Sequence, residues 1–218
     1  MKRAFDIIAS STGLLLLTPI FLGVAVLVKL DSPGPVFFRQ ERMGKGFRPF
    51  RIYKFRTMIE SGAVGGKFLT VGEDPRITRV GWILRKLKID ELPQLLNILT
   101  GEMSFVGPRP EVAKYVELFR KDYEQILKVR PGITDMASLK YRDETALLGK
   151  SRDPEKEYIK SILPDKIAMG KQYIKQSSFF FRRHPASKDT IHLVSIIDPA
   201  LACQPDRPKS PPLKLYRR

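Results

Sequence analysis

Apolar residues are densest at the start of the chain. The 22 residues from Ile7 to Val28 carry no charged side chain and are bounded by Asp6 and Lys29. As a helix, that run reaches about 33 Å, enough for the ~30 Å hydrocarbon core of a bilayer. It is long for a cleavable signal peptide, and no small-x-small cleavage pattern follows it. Two readings remain: a spanning anchor, and a helix that enters the membrane and returns to the same side. Thr18-Pro19 in mid-run favours the second, because proline removes a backbone donor and crowds the preceding turn. The Thr18 hydroxyl can help satisfy a carbonyl freed in this way. Charge points in the same direction. Lys2 and Arg3 precede the run, and Lys29, Arg39 and Arg42 follow it, so the positive-inside rule asks for both flanks in the cytoplasm.

After Ser32-Pro-Gly-Pro the pattern shifts to a period of two. Residues 36–40 and 50–58 read as strands joined through Met43-Gly-Lys-Gly46. Phe50, Ile52, Lys54, Arg56 and Met58 then share a face, and Lys54 and Arg56 can reach one anion. A solvated basic edge strand is the plainer reading. Residues 59–80 are glycine-rich and predict a loop beside a site, without the Gly-Lys-Ser/Thr ending of a phosphate loop. Helical spacing returns at Leu92, Leu95, Leu96 and Leu99; Pro93 fits only a first turn, which puts the start near Asp90, and Gly101 ends the helix. Residues 103–106 predict a short strand. Val112, Tyr115, Val116, Phe119, Tyr123 and Ile126 predict one helix over 111–128. Asp153-Pro and Pro164-Asp start two more helices. Ser177 to Phe181 is an aromatic run suited to a membrane interface. From Arg182 onward prolines recur and periodicity fades, which predicts a partly disordered basic tail.

Composition adds constraints. A chain of 218 residues suits one domain with appendages. Its net charge of +16 asks for an anionic partner such as a phosphorylated substrate, an acidic membrane or nucleic acid. The single cysteine, Cys203, excludes an intrachain disulfide. His184 and His192 stand in the tail without metal-ligand companions.

The candidate chemistry lies between Lys88 and Pro110. Asp90-Glu91 is preceded by Arg85, Lys86 and Lys88 and followed by the rigid turn Gly107-Pro-Arg-Pro110. Read alone, Asp90 is first of all a helix N-cap. The same position suits an ionised carboxylate that attacks phosphorus, with Glu91 beside it as a Mg²⁺ ligand. Arg109, held between two prolines, is either a surface cation or a preorganised phosphate ligand. Arg130 sits in a similar turn, Val129-Arg-Pro-Gly-Ile-Thr134.

In order, the chain holds an apolar N-terminal hairpin, Tyr53-Lys-Phe-Arg-Thr-Met58, Asp90-Glu-Leu-Pro-Gln94, Phe105-Val-Gly-Pro-Arg-Pro110 and Val129-Arg-Pro-Gly-Ile-Thr134. This set closely resembles the bacterial sugar transferase family, the monotopic polyprenol-phosphate phosphoglycosyl transferases, from about residue 2 to about residue 181. The resemblance implies transfer of a sugar-1-phosphate from a UDP-sugar to polyprenol phosphate, releasing UMP, at the cytoplasmic face of the bacterial inner membrane. It implies Asp90 as nucleophile, Glu91 as its partner and Mg²⁺ ligand, and Lys54, Arg85 and Arg109 around the phosphates. Arg142 falls at a position associated with the nucleotide, and Thr18-Pro19 at the break of a re-entrant helix. Relatives often carry an acidic residue where Met169-Gly-Lys171 stands, and the likeness ends after Phe181.

The expected fold is α+β: a re-entrant membrane helix over 1–31, a mostly helical cytosolic catalytic domain with a small β-hairpin over 32–181, and a Pro-rich tail over 182–218. Membrane lipid is an expected partner, nucleic acid is not, and the oligomeric state is open. The alternative class is a membrane-tethered protein that binds nucleic acid or anionic lipid without catalysis, suggested by the high pI and by aromatics among the basic residues of 47–56.

Overall fold

A computed structural model describes residues 2–59, 69–72 and 74–183. Residues 1–179 form one unit. Of the second, 180–218, only the end of the last helix is described. Most of the expected glycine-rich loop, the tail, Cys203 and both histidines therefore lie outside the described residues.

The apolar run forms helix α1 (Lys2–Asp31), with Pro19 inside it and no interruption in the helical assignment. By length and composition this helix can cross a membrane. Its inward face recurs every three or four residues, as one stripe of a helix must. Asp6, Ser10, Val24 and Val28 are buried, while Leu14, Leu17 and Phe21 pack on core clusters. The opposite face exposes Ile8, Leu15, Leu16, Leu22 and Leu30, each more than 60% open. The Thr18 hydroxyl donates to the Leu14 carbonyl (2.8 Å). That corrects the expected pairing, because the carbonyl that Pro19 deprives of its i+4 donor is Leu15's.

Strands β1 (Phe37–Met43) and β2 (Pro49–Phe55) form the antiparallel hairpin, with Phe37 opposite Phe55 and Met43 opposite Pro49. A 3₁₀ turn, Lys45–Phe47, links them. Phe50 and Ile52 point into the core with Lys54 partly covered beside them, but β2 ends at Phe55. Arg56 is therefore not a second phosphate ligand next to Lys54. It is buried and turned toward α1, donating to the carbonyls of Ser32 (2.7 Å), Val28 (3.3 Å) and Pro33.

Helix α2 (Arg79–Lys86) is capped by Thr78, whose hydroxyl accepts the Gly81 N–H (3.0 Å). The segment after it departs from the single expected helix. Ile89–Gln94 is a 3₁₀ turn, and α3 covers only Leu95–Thr100. The N-cap of that turn is Lys88 in the left-handed region (φ 59°), with no side-chain cap. Asp90 is thus not the cap. Pro93 has no N–H to give an i−4 carbonyl, which favours the tighter turn ahead of α3. Gly101 (φ 92°) ends α3 as expected.

Strand β3 (Ser104–Val106) pairs in parallel with β4 (Gly132–Thr134). Between them, the one helix expected over 111–128 is two, α4 (Ala113–Leu118) and α5 (Arg120–Ile126), broken at Phe119 (φ −121°, ψ 36°). Tyr115, Val116, Tyr123 and Ile126 stay buried across the break, so periodicity does not reveal it. Helices α6 (Met136–Lys140), α7 (Glu144–Gly149) and α8 (Pro154–Glu157) follow. Asp153 caps α8 as its chemistry predicts, accepting the Lys156 N–H (3.1 Å). A π turn, Tyr158–Ile162, runs directly into α9 (Leu163–Arg183), which therefore continues the preceding turn at Pro164. Overall the described chain is mostly helical with two small two-stranded sheets.

Candidate active site

The 3₁₀ turn sets Asp90 and Glu91 side by side against the Lys54 end of β2. Asp90 is 7% exposed, and its Oδ1 accepts no hydrogen bond among the described residues. Glu91 is the opposite case. Its Oε1 accepts from Lys54 Nζ (2.8 Å) and from Arg109 Nη2, and its Oε2 accepts from Arg109 Nη1 (3.2 Å). The two neighbours thus titrate in opposite directions. Burial pushes Asp90 above the ordinary carboxylate range, Glu91 adds to this, and Lys54 and Arg85 pull it back only in part. Burial would raise Glu91 as well, but the charges and hydrogen bonds of Lys54 and Arg109 outweigh it and hold that carboxyl well below its usual range. Burial lowers Lys54 and Arg85. Arg109 would also be lowered by burial, but Glu91 more than reverses this.

The six side chains that the resemblance assigns to catalysis, phosphates and nucleotide line one cavity of about 990 Å³: Lys54, Arg85, Asp90, Glu91, Arg109 and Arg142. Arg85 comes from α2 and is anchored by Thr57 Oγ1 (2.9 Å) and Met58 Sδ (3.0 Å). Arg142 is exposed on the turn between α6 and α7. Arg130 is elsewhere; its Nε donates to the Gly101 carbonyl (2.8 Å). The cavity has an apolar part, with Phe38, Met58, Ile59 and Trp82, and a polar part around Tyr141, Glu144 and Lys166.

Several supporting residues were not anticipated. Asn97 is fully buried and occupies the free edge of β2, accepting the Tyr53 N–H (3.0 Å) and donating to the Arg51 carbonyl (2.8 Å). It fixes α3, and with it the turn bearing Asp90, to the strand bearing Lys54. Glu111 joins Arg42 (2.9 Å) and the Tyr158 hydroxyl (2.6 Å) in the cavity wall. Asp135 accepts the Arg109 N–H (2.9 Å). A polar residue in an apolar helix was the signal for Asn97; Glu111 and Asp135 follow motif turns but have no local signature.

Among the described residues no three His, Cys, Asp or Glu side chains cluster to hold a metal ion by themselves. The pair Asp90–Glu91 nevertheless fits a Mg²⁺ shared with substrate phosphates. Such an ion takes one or two carboxylates plus phosphate oxygens, and Asp90 Oδ1 is an unpartnered oxygen while Glu91 Oε2 keeps a free acceptor position.

The geometry thus combines a buried carboxylate in a cation-lined cavity with a long apolar N-terminal helix, an arrangement consistent with membrane association. The chain belongs to the bacterial sugar transferase family, whose model matches residues 1–184. It is 48% identical over 144 residues to the UDP-N-acetylgalactosamine-undecaprenyl-phosphate N-acetylgalactosaminephosphotransferase of Aeromonas hydrophila, covering 64% of this chain and 34% of the relative. It is 44% identical over 156 residues to the UDP-glucose:undecaprenyl-phosphate glucose-1-phosphate transferase of Escherichia coli K12, covering 69% and 33%. With the exopolysaccharide production protein PSS of Rhizobium leguminosarum it shares 49% over 148 residues, covering 64% and 74%. The match thus spans about a third of the first and second relatives and most of the third.

Proposed function

We propose that this chain transfers a sugar-1-phosphate from a UDP-sugar to undecaprenyl phosphate, the first step of a surface glycan. The observation that carries the reading is Asp90: a buried carboxylate with an unpartnered oxygen, in a cavity lined by Lys54, Arg85 and Arg109. Similarity to transferases from Aeromonas and Escherichia supplies the substrate class.

The Asp90 oxygen attacks the phosphorus bonded to the sugar. The P–O bond to UMP breaks, UMP leaves, and the sugar phosphate is held as an acyl phosphate on Asp90. A phosphate oxygen of the acceptor then attacks the same phosphorus and releases Asp90 as a carboxylate. Arg85, Arg109 and Lys54 stabilise charge on the non-bridging oxygens. Glu91 keeps Lys54 and Arg109 charged and aligned. Asp90 and Glu91 would hold Mg²⁺, whose contribution when bound is to neutralise phosphate charge. Arg142, across the cavity, takes the nucleotide end.

Contacts along α1 support attachment to one side of the membrane. Near its start, Lys2 donates to the Val106 carbonyl (3.0 Å); at its end, Arg56 holds the Val28 and Ser32 carbonyls. A spanning helix would carry half of this packed surface away from its domain. We therefore place both flanks in the cytoplasm, with α1 re-entering at the inner membrane. Trp82, Ile83 and Leu87, exposed on and just after α2, extend the apolar surface; α2 is joined to α1 by the Val80 N–H bond to Asp31 (3.0 Å). Burial of Phe50 and Phe55, 7% and 1% exposed, weighs against the nucleic-acid alternative, since neither offers a stacking face to bases.

The test is UMP release by the full chain in lipid, with Mg²⁺, undecaprenyl phosphate and a panel of UDP-sugars. At least one donor gives UMP with wild type. Release from none, or undiminished release by Asp90→Asn, overturns the reading.

A further inference from the structure

We propose that Asp135 is a positioning residue for Arg109, tying the phosphate part of the cavity to the wall that carries Arg142. This rests on the transferase reading and adds a residue to it.

Pro108 and Pro110 have no N–H, so Arg109 supplies the only backbone donor in the Pro108–Pro110 turn. That donor goes to Asp135 Oδ2 (2.9 Å). The other carboxylate oxygen, Oδ1, accepts the Ser138 N–H (2.7 Å) and the Ser138 hydroxyl (2.6 Å), capping α6. One side chain thus joins the arginine turn to the first turn of α6, and residues of that helix and the following turn line the cavity.

The bond lies just past the parallel pairing of β3 and β4, beside two further contacts between the segments. Gly107 N–H donates to the Thr134 carbonyl (3.1 Å), Gly132 N–H to the Pro108 carbonyl (3.1 Å), and Arg109 N–H to the side chain that follows Thr134. Without Asp135 the Arg109 N–H loses its partner, and the turn is held only at its flanks, by Gly132 at the Pro108 carbonyl and Arg42 at the Pro110 carbonyl. The consequence is geometric. Arg109 meets Glu91 with both terminal nitrogens, and a two-point contact tolerates little displacement of its own backbone.

The test uses the full chain in lipid and two readouts, UMP release and UDP binding, with D135A, S138A, R109A and D135A/R109A. D135A is expected to lower kcat/KM about tenfold, the usual scale for a lost charge-assisted hydrogen bond. S138A removes only the hydroxyl partner and stays within about twofold. Removing a negative charge from the cavity would by itself tighten UDP binding, so weaker binding by D135A marks lost positioning rather than changed charge. In the R109A background D135A should weaken UDP binding no further, since there is no guanidinium left to position and only the tightening from the lost charge remains. Equal losses in both backgrounds, loss by S138A as large as by D135A, or wild-type behaviour of D135A each overturn the proposal. Should D135A not fold, D135N takes its place in the cycle with the same criteria. Wild type that releases no UMP from any donor would instead overturn the transferase reading.

Discussion

Asp90 and Glu91 are adjacent in sequence but are used in opposite ways. Glu91 is gripped by two cations, whereas Asp90 keeps an oxygen with no partner. Because the folded state raises the pKa of Asp90, the ionised carboxylate opposes folding, and its contribution to stability falls as pH rises from the unfolded value through the folded one. Asp90→Asn should therefore raise Tm near neutral pH while lowering UMP release by about 10³-fold or more, the scale for removing a nucleophile. A lower Tm with activity retained would contradict this. In metal-free protein Asp90 should titrate above the ordinary Asp value of about 3.9, and Lys54→Met should move it higher still, since Lys54 is the leading charge that holds Asp90 down; carboxyl NMR checks both. The motif residues were legible because they are local in sequence, and the structure gathers them in one cavity. The capping role expected of Asp90 was not realised, because the backbone enters the turn through Lys88 in the left-handed region. Asn97 and Asp135 were missed because their partners, β2 and the arginine turn, lie 44 and 26 residues away in sequence.

At the scale of elements, the hairpin, the short strand at 104–106, the N-terminal helix and the helix capped by Asp153 were readable from period and caps, whereas α2, α6 and α7 were not anticipated. Breaks that preserve the buried stripe, such as Phe119 between α4 and α5, were not. Arg56 shows why face assignments fail at strand ends: one residue past Phe55 the alternation no longer applies, and the guanidinium holds the end of α1 instead. Arg56→Ala removes the charged donor shared by the Val28, Ser32 and Pro33 carbonyls and should cost about 3 kcal/mol, the upper range for hydrogen bonds to a charged group. Thermal unfolding in lipid checks it, and an unchanged Tm would remove the clamp from the account. Gly132 makes the same point for backbone approach. A Cβ there would collide with the Gly107 N–H across the β3–β4 pair, so the glycine is set by a neighbour 25 residues earlier rather than by its own turn.

For the whole molecule, the proposed function requires a chain of net charge +16 to meet a lipid-borne acceptor. Single cysteines in a Cys203→Ser chain, one before Asp6 and one after Asp31, should both be labelled from the cytoplasmic side; periplasmic labelling of either would mean a span. The account's central claim is that Asp90 carries the sugar phosphate covalently. Mass analysis of the protein incubated with a productive UDP-sugar and Mg²⁺, with acceptor withheld, tests this most directly. The account predicts a mass gain of one sugar phosphate on the peptide containing Asp90, matched by released UMP and discharged when undecaprenyl phosphate is added. UMP release that depends strictly on acceptor, with no adduct on Asp90 at any time, would contradict it.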